Sequence, residues 1–88
     1  MIREKDIEAA LVRHIKAVGG LPLKFTSPGR RAVPDRLCLL PGGRVLFVEL
    51  KRPGERPTPL QAHEHQRLRD LGFEVLVIDS KEGAHAVT

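Results

Sequence analysis

The chain of 88 residues has no tryptophan and no tyrosine, and its three phenylalanines are Phe25, Phe47 and Phe73. Recognition of nucleic acid by stacking bases on an aromatic platform is thereby disfavoured, and binding to such a polyanion would fall to phosphate contacts. A single cysteine, Cys38, excludes an internal disulfide and any cysteine-based zinc site. Its setting in "RLCLL" marks it as a small core residue. No apolar run approaches the roughly 18 residues of a membrane-spanning helix. The opening stretch, "MIREKDIEAA", is charged where a secretory signal would be apolar, so the expected setting is cytoplasmic, with no membrane partner. Repeats, linkers and low-complexity tracts are absent, and nothing in the chain suggests a Ser–His or Cys–His pairing. His63 and His65, two apart on a predicted helix, face different directions and cannot share a metal as an i, i+4 pair could. His14 and His85 have no partner in the sequence, and no histidine is assigned a catalytic role.

What remains is a basic, moderately apolar chain. The net charge is +4 and 41% of residues are hydrophobic, enough for a core within one domain spanning 1–88. Arg30, Arg31, Arg36, Arg44, Lys51, Arg52 and Arg56 all fall in one stretch, which favours a polyanionic partner. Ile7, Leu11, Ile15 and Val18 recur at helical spacing before "VGG", predicting an amphipathic helix over about residues 3–18. "LPLKFT" predicts a short strand, "SPGRRAVP" a loop, and "DRLCLL" and "RVLFVELK" two strands joined by the turn "PGG". A second proline-rich loop, "RPGERPTP", leads to Thr58, which can cap a helix with Pro59 in its first turn and Gln61 completing a capping box. That helix should stop at Gly72, before the strand "FEVLVID" and a short terminal helix in "SKEGAHAVT". The order is helix, three strands, helix, strand; the final strand–helix–strand unit implies parallel pairing, hence an α/β or mixed α+β class.

The apolar run "VLFV" ends in two charges, Glu49 and Lys51, on one face of the strand, roughly 7 Å apart. If Pro41, Gly42 and Gly43 form a three-residue loop, Leu40 faces Arg44 and counting back places Asp35 opposite Glu49. A two-residue turn would instead set Asp35 opposite Leu50. Paired cross-strand residues lie about 5 Å apart, and two carboxylates so placed repel unless something intervenes. A hard divalent cation such as Mg²⁺, which takes one or two carboxylates plus waters and substrate phosphates, would do so. Plainer accounts exist for each residue alone: Asp35 as a strand-start residue tied to Arg36, Glu49 and Lys51 as a surface ion pair. They explain less well why two acids should converge beside a strand that does not look like an edge.

The string "VPDR", then a glycine turn, then "FVELKRPGERPTPLQ", resembles the PD-(D/E)xK nuclease superfamily, and more narrowly the VRR-NUC (virus-type replication-repair nuclease) domains. The likeness runs from "IEAALVRHIKAVGG" to "LGFEVLVID". A bare PD…ExK match is common; the whole string in register is far more specific. The resemblance implies a restriction-endonuclease-like fold, a small mixed sheet flanked by helices. It implies a metal-dependent endonuclease, with Asp35, Glu49 and the Leu50 carbonyl binding Mg²⁺ or Mn²⁺, and Lys51 holding the attacking water or offsetting charge on the scissile phosphate. It adds Glu8 near the ion, against the alternative of a solvated acid paired with Lys5 or Arg13. It makes Gln61 an active-site glutamine, against the capping role. Branched DNA, such as four-way junctions or flaps, is the implied substrate, and the implied setting is a bacterial or phage-infected cell. A chain with one site would need a homodimer to cut two strands symmetrically. Arg30 and Arg31 are the candidates for gripping phosphates, with Lys24 and Arg52 behind them; solvated surface charges are the alternative. No organic cofactor is expected. A non-catalytic DNA-binding module of the same fold, or a nuclease for RNA or simple ends, are the competing readings.

Overall fold

A computed structural model describes all residues, Met1 to Thr88. Helix α1 (Glu4–Ala17) is followed by strands β1 (Leu21–Lys24), β2 (Arg36–Leu40) and β3 (Arg44–Leu50), then helix α2 (Pro59–Asp70), strand β4 (Glu74–Ile78) and the short helix α3 (Lys81–His85). The elements match the sequence expectation within a residue or two, and β1 ends two residues before the predicted "LPLKFT" does. The strands form one sheet in the order β1-β2-β3-β4. β1/β2 and β2/β3 are antiparallel, while β3 and β4, joined through α2, are parallel.

The turn between β2 and β3 sets the register. Gly42 and Gly43 hold φ values of 83° and 77°, a region that costs other residues a Cβ clash. Leu40 then pairs with Arg44, and the ladder runs back to Arg36 opposite Val48. This is the three-residue-loop register, and one step beyond the ladder Asp35 comes beside Glu49.

Alternation along the strands divides the sheet into two faces. Cys38, Leu40, Leu46, Val48, Leu50 and Ile78 point to one side. There they join Ile7, Ala10, Leu11 and Ile15 of α1, and Ala84 and Val87 at the chain's end, in a single apolar cluster. Cys38 is fully buried within it, as expected. α1 can sit so close because Gly20 has no side chain; a Cβ there would lie 2.7 Å from the Leu39 carbonyl oxygen and 2.9 Å from Ile15 Cγ2. The opposite face carries Phe47, stacked edge-on against Phe73 at 5.7 Å and tilted against Phe25 at 5.5 Å. The residues α2 buries are Glu64 and His65, both polar. No helix is long and apolar enough to cross a membrane.

Candidate active site

On the α2 face, at the end of β3, polar groups replace the apolar pattern. Glu49 is only 2% exposed and Lys51 8%. The backbone explains how they are held. The Lys51 N–H donates to the Ile78 carbonyl at 3.0 Å, prolonging the parallel ladder by one residue beyond β3. The polar groups of Leu50 therefore face the other neighbour, β2, whose ladder has already stopped at Arg36. Asp35 fills that gap with its side chain, Oδ2 accepting from the Leu50 N–H at 2.8 Å. One carboxylate thus stands in for a missing strand residue, on the side of β3 toward which the Leu50 carbonyl also turns.

Glu49 is the centre of the cluster. Its Oε2 lies 3.7 Å from Lys51 Nζ and accepts from Gln61 Nε2 at 3.4 Å, while Oε1 lies 3.4 Å from His65 Nε2. Burial, followed by the charge of Asp35 and a hydrogen bond with it, pushes the Glu49 carboxyl up to about 8, and Lys51 only partly opposes this. Without a cation the Glu49 carboxyl thus keeps its proton at neutral pH. Burial, then Arg69 and Lys51, lowers the His65 pKa, so the imidazole is neutral.

Gln61 closes the capping box and also reaches the acid cluster. Its Oε1 accepts from the Thr58 N–H at 3.0 Å and its own N–H donates to Thr58 Oγ1 at 3.2 Å, closing the capping box. The amide nitrogen is left free to reach Glu49.

The remaining candidates lie further out. Glu8, half-buried, accepts from Arg36 Nε at 3.0 Å rather than pairing with Lys5 or Arg13, and Arg36 shares the α1 face of the sheet. The α1 acid that feels the cluster is Glu4, one turn earlier, whose carboxyl is raised by burial and then by Asp35. Arg30 makes a two-bond ion pair with Glu64 on α2, at 2.7 and 3.2 Å. Arg52 pairs with Glu55 at 2.9 Å. Arg31 is exposed, as is Lys24, which pairs in register with Arg36 and so belongs to the α1 face, away from the acids.

Sequence reasoning set His65 aside with the other histidines and did not single out Glu4. The signal for His65 was present: Gln61 and His65 are four apart on one helix, so a helix that turns Gln61 to the site turns His65 there as well. For Glu4 there was none, because Glu4 and Glu8 share a helix face and only the packing shows which lies level with the end of β3.

The donors suit a hard cation. Two converging acids, with a backbone carbonyl at hand, are oxygen ligands whose mutual repulsion an ion would relieve. No group of three or more His, Cys, Asp or Glu side chains could enclose a metal, so waters and substrate oxygens would fill the remaining positions.

A small mixed sheet with two acids and a lysine at the end of a central strand defines the class: a restriction-endonuclease-like α/β domain. No family model matches the chain. Over 82 residues it is 55% identical to "Putative nuclease p44" of Acyrthosiphon pisum secondary endosymbiont phage 1, covering 93% of this chain and 88% of that protein. A solved structure described as a VRR_NUC domain superposes with a TM-score of 0.87 at 35% identity, covering 92% of this chain and 88% of the other. The chain belongs to the VRR-NUC family of nuclease domains.

Proposed function

We propose that this protein is a Mg²⁺- or Mn²⁺-dependent endonuclease that hydrolyses phosphodiester bonds in DNA, prefers branched substrates such as four-way junctions or flaps, and works in replication, recombination or repair. The observation that carries the reading is the convergence of Asp35 and Glu49 on one sheet face beside Lys51, with Glu49 buried. Burying a carboxylate that no cation fully neutralises works against folding, and a ligand role explains why it is there.

Asp35 and Glu49, with the Leu50 carbonyl, would hold the ion. When bound, it lowers the pKa of a coordinated water and offsets charge that builds on the phosphate. The side chains do the rest. Gln61 donates to Glu49 Oε2 and fixes that carboxylate against α2. Lys51 sets an ammonium beside the same oxygen, a point charge able to hold the incoming water or balance the phosphate. In the hydrolysis, the water oxygen bonds to phosphorus, one of the two P–O ester bonds of that strand breaks, and a proton from the water ends on the departing oxygen. One end is left as a phosphate monoester and the other as a hydroxyl.

The preference for branched DNA rests on family likeness, supported by the arginine-rich stretch and the lack of stacking aromatics, which suit recognition of backbone shape. Arg30 and Arg31, in the loop before Asp35, would contact phosphates near the cut, with Arg52 and Lys24 as outer contacts. Symmetric cutting of a junction would use a C₂ homodimer, each copy supplying one site.

The test incubates the protein with a labelled junction, a flap and a linear duplex, in Mg²⁺, Mn²⁺ or EDTA. Expected is metal-dependent cleavage of the branched substrates, lost by a factor of roughly 10² or more in Asp35→Ala and Glu49→Ala while DNA binding persists. Lys51→Ala should keep ion binding and lose turnover. Binding without cleavage under every metal would indicate a non-catalytic module, and equal cutting of linear duplex would remove the branched preference alone.

A further inference from the structure

His65 has no part in the chemistry set out above, yet it is 1% exposed and its ring meets the most buried acid of the site. Its Nε2 lies 3.4 Å from Glu49 Oε1, while Lys51 and Gln61 both approach Oε2. We propose that His65 is a positioning residue. With its ring proton on Nε2 it holds one oxygen of Glu49 and so turns the carboxylate to present the other, together with Asp35, to a divalent cation. The proposal rests on the reading of Glu49 as an ion ligand.

Two observations carry it. The first is placement: Gln61 and His65 lie one turn apart on α2 and reach the two different oxygens of a single carboxylate. A carboxylate held at both oxygens keeps its plane, whereas one held at a single oxygen can rotate about its terminal bond. The second is chemistry. An apolar side chain of similar volume would fill the space between α2 and the sheet without the penalty of burying a polar ring, so packing alone does not call for histidine.

The measurement is Mn²⁺ binding to the whole protein without DNA, followed at one fixed pH by the loss of the free-ion paramagnetic resonance signal. Wild type should bind and Glu49→Gln should not. His65→Leu should weaken binding by roughly 10- to 100-fold, the loss seen when an outer partner of a ligand is removed. In the metal-free protein its melting temperature should be unchanged or higher. His65→Gln, whose amide nitrogen matches the reach of Nε2, should restore most of the affinity, a rescue that a purely structural role would not produce. Wild-type affinity in His65→Leu would overturn the proposal, as would a loss in His65→Gln as deep as in His65→Leu. Should His65→Leu not fold, His65→Asn replaces it: its shorter amide cannot reach Glu49, so undiminished Mn²⁺ affinity there overturns the proposal. A wild-type protein that binds no Mn²⁺, or Glu49→Gln that binds as well as wild type, would instead bring down the ion site itself and this inference with it.

Discussion

The two helices that pack on the sheet do different work. α1 buries Ile7, Ala10, Leu11 and Ile15 against one face, a continuous apolar stripe meeting an apolar surface. α2 buries Glu64 and His65 against the other and offers Gln61 as well. Its apolar residues are largely exposed: Leu60 is 50% accessible, and Leu71, just past its end, 73%. By area burial, α1 contributes most of the hydrophobic stabilisation, at about 1.5–3 kcal/mol for each large side chain withdrawn from water. α2 contributes hydrogen bonds aimed at single atoms of Glu49 and at Arg30. In a chain this small, the face that holds the fold together and the face that carries the candidate site are separated by one layer of strands.

The largest expected effect that would break this contrast is on stability. Leu11→Ala, in the centre of the α1 stripe, should destabilise by about 2–5 kcal/mol in denaturant unfolding, with a cavity that the rigid sheet cannot close. Leu60→Ala on α2 should change stability by less than about 1 kcal/mol. Equal losses at the two positions would mean that α2 is as much a part of the core as α1.

A second effect, roughly a few kcal/mol, has the opposite sign and belongs to the α2 face. Because the Glu49 pKa rises in the folded protein, from 4.5 to about 8, the fold binds that proton more tightly than the unfolded chain does. Its contribution is fully present below 4.5 and is lost as pH climbs toward about 8. His65, with its pKa lowered, works the other way up to its ordinary value of 6.5, so the fall above that point belongs to Glu49. Metal-free protein should therefore lose melting temperature from pH 6.5 to 8, and Glu49→Gln should abolish the slope. Mg²⁺ or Mn²⁺ should stabilise more at pH 8 than at pH 5. A flat profile in wild type would contradict the raised Glu49 carboxyl.

The smallest effect sharpens the contrast from the loop that leads to the site. Ala32 holds φ 61°, a left-handed conformation that a Cβ makes unfavourable. Ala32→Gly should stabilise by about 1 kcal/mol if the conformation persists. Destabilisation would show that the loop is held by contacts of the methyl group.

How much of this was legible depended on whether a local rule governed it. The register that brings Asp35 beside Glu49 follows from a glycine turn of known length, and it was readable because strand alternation transmits one turn's geometry along the whole hairpin. The start of α2 was readable for a similar reason, since Thr58, Pro59 and Gln61 encode it within four residues. Long-range choices were not. Glu8 meets Arg36 and Arg30 meets Glu64 because of how α1 and an irregular loop settle on the sheet, which no local spacing dictates. His65 lies between these cases: its helical phase with Gln61 was available, but attention to pairs of histidines concealed a pairing between histidine and acid.

Gln61 ties the opening of a helix to the deepest acid in the protein, one end of its amide gripping Thr58 and the other touching Glu49. Fraying of the first turn of α2 is thus felt at once by the carboxylate, long before the sheet itself gives way. Heat should accordingly silence this molecule from the helix inward, with turnover declining on warming while the bulk of the fold is still intact.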